Sequence, residues 1–168
     1  GDGDNQRLLE GQNSVFDLPV VSGEIAAFRQ DAAHFLSREW QHDLDFSDAS
    51  FARIQEWAAG QPDAAQLSAP ANLGALPTQG CKAFQWHGHA AAMVDFVAGP
   101  DGEAIHLVSV DRRALPAPSV GGLAVGETRT GRLPPWNTAM WNDGRRIYVA
   151  LTSASPEQLQ HWIGNDVP

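Results

Sequence analysis

Apolar residues between residues 22 and 60 recur every three or four positions, which is the spacing of one face of an α-helix. The spacing predicts a first helix that begins at Ser22, because a serine at this point can cap the first turn. A second helix is predicted after the polar break at 43–47, with Ser47 or Asp48 as its cap and Gly60 at its end. The residues predicted to face inward are Ile25, Phe28, Ala32, Phe35, Leu36 and Trp40 in the first helix and Phe51, Ile54, Trp57 and Ala58 in the second.

After residue 80 the pattern changes to one that is typical of β-strands, with alternating faces and glycine-containing turns. Gly88 lies between two strand-like segments, and it supplies the positive φ that a tight hairpin needs. Asn142-Asp143-Gly144 predicts a second hairpin for the same reason. The predicted strands are 81–86, 90–98, 104–110, 136–141 and 146–151.

Three segments show no regular spacing of apolar residues. A short helix is predicted near the C-terminal end. Residues 1–21 read as a mobile tail, residues 61–80 as an ordered coil, and residues 111–135 as a long loop. Ser155 followed by Pro156 then indicates the start of a helix that Gly164 ends. Its inward residues are predicted to be Leu159, Trp162 and Ile163.

Together these elements predict an α+β fold with an antiparallel sheet of about five strands. Helices and strands occur in runs of one type and do not alternate, which favours an antiparallel sheet over a parallel one. We expect the two N-terminal helices and the short C-terminal helix to pack on one face of that sheet. One domain is predicted over 22–168, with a helical pair at 22–60 and the sheet and terminal helix at 81–168.

The charge of the chain bears on its partners. Among its 168 residues, 11 basic and 20 acidic side chains give a formal net charge of −9, so we expect no nucleic-acid partner, because nucleic-acid binding relies on clustered cations. The single Cys81 permits no internal disulfide bond. No apolar run approaches the length of about 18 residues that spans a bilayer.

Histidines provide one possible site of chemistry. His87 and His89 flank Gly88, and two imidazoles at this spacing can share one metal ion. His106 lies on a neighbouring predicted strand, and Asp95 lies between. We expect no cofactor, and a metal site at His87, His89 and His106 is kept as one hypothesis. Residues suited to a turn explain the same pattern, because polar side chains beside a glycine are common at hairpin tips.

Tryptophans and arginines provide a second possible site, for binding rather than catalysis. Trp86 and Trp136 flank predicted turns, and aromatic rings at such positions suit an interface with a peptide or a sugar. Arg145 and Arg146 follow the second hairpin and are interface candidates too, although basic pairs beside turn residues are more often solvated hairpin flanks than an anion clamp. The predicted core tryptophans are Trp40, Trp57 and Trp162.

Nine short segments of residues 51–163 occur in an order that is known from one protein family. They are FARIQEW at 51–57, APANL at 69–73, GCK at 80–82, Gly88, AAAMV at 90–94, IHLV at 105–108, WNDG at 141–144, IYVAL at 147–151 and PEQL at 156–159. This part of the chain resembles the extracytoplasmic C-terminal domain of membrane-anchored bacterial anti-sigma factors and related transmembrane regulators. It departs from the family at 80–82, where Gly-Gly-Arg is usual, and at 151–153, where Val-Ser-Asp is frequent.

The resemblance implies a non-enzymatic, periplasmic sensor or interaction domain that regulates transcription. Its partner would be an envelope protein or a small ligand. The family's sigma-contacting module and membrane helix are missing from the sequence, so contact with a sigma factor or a membrane would require segments outside this chain. Two alternatives remain: a small metal-dependent or hydrolytic enzyme built on the three histidines, and a secreted ligand-binding module that uses Trp86 and Trp136.

Overall fold

The computed structural model describes residues 23–38, 44–61, 65–98, 101–115 and 123–164. Helices occupy both ends of the described chain, and a short 3₁₀ helix lies at Arg112–Ala114. The predicted tail at 1–21, the cap Ser22 and the core residue Trp40 lie outside the described residues. The α-helices in this part of the chain are α1 (Gly23–Arg38), α2 (Phe51–Ala59), α3 (Ala71–Gly74) and α4 (Pro156–Ile163).

The strands form one antiparallel sheet, so the predicted α+β class is confirmed. Its spatial order is β1-β2-β3-β4-β7-β6-β5, and every neighbouring pair is antiparallel. Within the described residues the sheet has seven strands, where about five were expected. The strands are β1 (Phe46–Ser47), β2 (Thr78–Trp86), β3 (His89–Ala98), β4 (Glu103–Asp111), β5 (Thr128–Leu133), β6 (Trp136–Asn142) and β7 (Arg146–Thr152).

The two additional strands lie at the two edges of the sheet, where sequence patterns are weakest. β1 has only two residues, and β5 lies within the segment that was predicted to be a long loop. The sequence of β5, TRTGRL, has no apolar alternation, and its residues alternate between exposed and half-buried. Pairing with β6 defines this strand, since an edge strand needs little burial of its own side chains.

Helices cover both faces of the sheet, contrary to the expectation of one face. Buried residues of α1 pack with one set of strand residues, and buried residues of α2, α3 and α4 pack with the other set. The cause is visible in β3, β4 and β7, which are buried over nearly their whole length on both sides. Such strands need cover on both faces. We name these the α1 face and the α2 face.

The sheet curves around α1. Phe28 packs against Trp86 of β2 with ring centroids 5.2 Å apart. One residue further along α1, Nη1 of Arg29 lies 3.2 Å from the position that a Cβ on Gly131 of β5 would occupy. Four strands separate β2 from β5 in the sheet order, so both can contact one helix only if the sheet bends. The α1 face is therefore concave.

Most of the helix ends and turns that local sequence signals predicted are present in the structure. Ser155 accepts a hydrogen bond from the Gln158 N–H at 3.1 Å, which confirms the cap of α4. Gly88 and Gly144 have φ of +79° and +94°, as the two hairpins require. The cap of α2 is Ser50, neither Ser47 nor Asp48, because Ser47 belongs to β1.

Candidate functional site

His106 forms a buried pair with Asp95. The two residues are direct cross-strand partners on β4 and β3, and both side chains lie on the α1 face. Nδ1 of His106 lies 2.7 Å from Oδ1 of Asp95, and the side chains are 4% and 0% exposed. The ring of Trp136 packs edge-on against the imidazole, at 5.5 Å and 85°. The structure thus brings together three residues that the sequence analysis had singled out in two separate hypotheses.

His87 and His89 lie far from the pair of His106 and Asp95. Their hairpin is six positions along β3 from Asp95, a separation of about 20 Å at the rise of an extended strand. His87 has φ of +50°, and its ring stacks on Trp86 at 3.9 Å. The three histidines of the metal hypothesis therefore do not share one site. Among the residues that the structure describes, no group of three or more His, Cys, Asp or Glu side chains is arranged to hold a metal ion.

The two tryptophans that were predicted to be interface candidates have different surroundings. Trp86 is only 8% exposed, and its indole N–H donates a hydrogen bond of 2.7 Å to Oδ2 of Asp31 on α1. It fills the core between β2 and α1, so its proximity to a turn was a misleading signal for exposure. Trp136 is half-buried beside His106. Of the predicted core tryptophans, Trp162 is buried and Trp57 is half-buried.

Arg145 and Arg146 also differ in their surroundings. Arg146 is 4% exposed and donates hydrogen bonds from Nε to Ser109 Oγ and from Nη2 to the Ala90 carbonyl, at 2.9 and 3.2 Å. Burial lowers the pKa of its guanidinium. Arg145 is exposed, and its guanidinium donates to the side chain of Gln66. Arg146 thus serves the interior, where no partner reaches it, while Arg145 stays on the surface.

A pocket opens on the α2 face, between the end of α2 and strands β2 and β3. Its volume is about 250 Å³. We call it the alanine pocket, because its floor contains Ala83, Ala90 and Ala92, while Trp57, Gln61 and Gln85 stand around it. The side-chain amide of Gln61 is held by the carbonyl of Trp57 at 3.1 Å.

Sequence reasoning missed this pocket, although a signal for it was present. Ala90, Ala91 and Ala92 form a run of small residues in a strand, and alanine is not favoured in strands. Where a helix packs on a sheet, short side chains leave space between the layers. The pocket appears where the short side chains of β2 and β3 face the end of α2.

Comparisons with known proteins assign neither a family nor a function to this chain. No family model, curated protein or solved structure matches the chain. No helix in the described ranges is long and apolar enough to cross a membrane.

Proposed function

We propose that this chain is a non-enzymatic sensor or interaction domain of a transmembrane regulator of transcription, such as an anti-sigma factor. In this proposal it lies on the periplasmic side of a bacterial membrane and responds to a small ligand. The observation that carries the proposal is the alanine pocket. Trp57, Ala90 and Ala92 line it, and all three belong to the segments on which the resemblance to that family rests.

The lining of the pocket indicates which ligands it would accept. Its residues are alanines, aromatic side chains and two glutamines, and none of them carries a charge. The volume of about 250 Å³ is below the range of about 300–1,000 Å³ that drug-sized ligands occupy. A small neutral molecule with an apolar ring and one hydrogen-bonding group suits these walls, since Gln61 and Gln85 supply amide donors and acceptors.

Ligand binding at this place would couple two layers of the fold. The pocket lies between α2 and the β2–β3 hairpin, so a bound molecule contacts both. A ligand that binds one arrangement more tightly than another stabilises that arrangement, by an amount that grows with the logarithm of its concentration relative to Kd. In a transmembrane regulator, such a shift in the outer domain is the signal that an attached anchor transmits.

The test uses indole as a neutral ring with one N–H donor. In ¹H–¹⁵N spectra we expect indole to shift the signals of Gln61, Ala83 and Ala92. Ala83→Leu fills the pocket from an exposed strand position and should weaken the affinity at least tenfold. Ala52→Leu, on the exposed side of α2, is the matched control and should behave like the wild type.

Two results would contradict the proposal. One is that indole and similar neutral rings leave the spectrum unchanged in the folded wild type. The other is that Ala83→Leu binds them as the wild type does. The regulatory part is tested separately in the bacterium, with a sigma-dependent reporter gene: its response should be lost in Ala83→Leu and kept in Ala52→Leu.

A further inference from the structure

A half-buried arginine lies near the β5 edge of the sheet. Arg29 extends from α1 to Gly131, whose missing side chain leaves room for the guanidinium. Its Nε is buried and has no hydrogen-bond partner among the described residues, and burial lowers the pKa of the group. Among the described residues, no carboxylate pairs with it. Since even partial burial of a cation without a counter-charge is unfavourable, this environment favours an anion.

A second polar side chain points to the same place. Thr138 lies on β6 directly opposite Gly131, and it is 1% exposed. Within the described ranges its Oγ1 also has no hydrogen-bond partner, and it lies 3.5 Å from the position that a Cβ on Gly131 would occupy. Arg29 Nη1 lies 3.2 Å from that position. A guanidinium and a hydroxyl therefore flank one point on the concave face, and both can donate a hydrogen bond to a carboxylate.

In the part of the chain that the structure describes, the strand that carries Gly131 has an open outer edge. Within the described ranges, β5 pairs with β6 alone. Leu133 and Trp136 flank a two-residue turn, so they form a hydrogen-bonded pair, and alternate residues of β5 direct their backbone groups away from β6. Those outward residues are Thr128, Thr130 and Arg132, and all three are exposed. Their N–H and C=O groups form a template for one more strand.

We propose that an extended acidic segment of a partner protein adds to the outer edge of β5 and places one carboxylate between Arg29 and Thr138. Residues opposite each other on neighbouring strands project from the same face, so the partner residue beside Gly131 would project onto the concave face. Arg132 adds a second positive charge: its guanidinium donates to Asn137, and no carboxylate among the described residues pairs with it. The edge is thus basic although the chain has a net charge of −9.

A second copy of this chain does not fit the same edge. The sequence of β5 contains no acidic residue, so a second copy that pairs through β5 would leave Arg29 without a carboxylate. Arg129 of β5 is already paired with Glu127 at 2.8 Å, and the like charges that two copies would bring together are those of Arg132. The surface also lies on a different face from the alanine pocket, and the two proposals stand or fall separately.

The experiment measures binding of a fluorescein-labelled seven-residue peptide of alternating glutamate and valine to the full chain. We expect binding that weakens as salt increases, and no binding of the lysine–valine counterpart. Arg29→Met keeps the apolar stem and removes the charge, so it should weaken binding at least tenfold. Arg53→Met, on the exposed surface of α2, should leave it unchanged.

A backbone variant separates strand addition from charge attraction. Thr130→Pro removes an outward N–H at an edge position where proline is tolerated, so it should also weaken binding at least tenfold. Urea unfolding of each variant checks that the chain remains folded. Equal binding by the wild type and Arg29→Met would overturn the proposal, and so would unchanged binding by Thr130→Pro, which would leave only an anion site.

Other occupants of the edge have their own signatures. Dimerisation of the wild type that Thr130→Pro abolishes would assign the edge to a second copy. Peptide binding that appears only after removal of residues 1–22 would assign it to the chain's own N-terminal segment. Either result would overturn the proposal of a partner protein.

Discussion

Single residues in this protein show that hydropathy alone does not tell whether a polar side chain is buried. Asp95, His106 and Arg146 are all nearly inaccessible, and each has a partner that lies on another strand. The sequence named His106 and Arg146 as candidates because of their chemistry, but the cross-strand register gave Asp95 its role as the partner of His106. Register is a tertiary property, since it depends on which strands become neighbours.

Cys81 leads to a prediction about pH. Its side chain is 0% exposed, and burial, with a smaller contribution from Asp45, raises the pKa of the thiol from 9.0 to about 12. Because the folded state holds the proton more tightly, its stabilising effect is complete below pH 9 and is lost as the pH rises towards 12. We expect a thiol reagent at pH 8 to label Cys81 only after the chain unfolds.

The measurement compares labelling by a chromogenic disulfide reagent with and without urea. The free energy of unfolding should also fall more between pH 8 and about pH 10.5 in the wild type than in Cys81→Ala, which has no thiol to ionise. Rapid labelling of the native chain would show that the thiol is accessible.

Among the helices and strands, an element with strong local sequence signals was predicted, whereas elements with weak signals were missed. The α4 helix follows from a cap, a proline and an apolar face, all within nine residues, and it is confirmed. β5 has no such signal, and only its ladder with β6 makes it a strand. The 3₁₀ helix Arg112–Ala114 similarly depends on its surroundings, because the Arg112 N–H donates to the Arg145 carbonyl of the neighbouring hairpin.

The cap of α4 is the next prediction. Ser155→Ala removes the acceptor of the Gln158 N–H, and we expect the free energy of unfolding to fall by about 1 kcal/mol. Ser153→Ala is the control, since Ser153 is exposed and precedes the helix. Urea denaturation measures both. Equal stability of the two variants would mean that the cap contributes nothing to the folded domain.

For the whole molecule, the main feature is that one sheet separates two cores. The α1 face and the α2 face each contain their own cluster of buried residues, and the backbone of the sheet lies between them. Ile25 belongs to the first cluster and Ile54 to the second, at 2% and 0% exposure. A small substitution in one core should therefore change the free energy of unfolding independently of a substitution in the other, because no side chain belongs to both clusters.

A double mutant tests this independence. Ile25→Val and Ile54→Val should each lower the free energy of unfolding by about 0.5–1.5 kcal/mol, since each removes one buried methylene. The double variant should equal the total of the two within about 0.5 kcal/mol. Urea denaturation of the four chains gives the values. A larger departure would show that strain passes through the sheet.

The sequence by itself determined the features that depend on neighbours along the chain. Helix spacing, the Ser155 cap and the two glycine hairpins all express preferences of a few consecutive residues, so α1, α2, α4 and the central strands were predictable. Only the tertiary structure decided the rest: the curvature that brings Arg29 to Gly131, the pairing of Asp95 with His106, and the pocket floored by alanines. These contacts join residues that are far apart in the chain, and their geometry is set by packing and register, which no local pattern encodes.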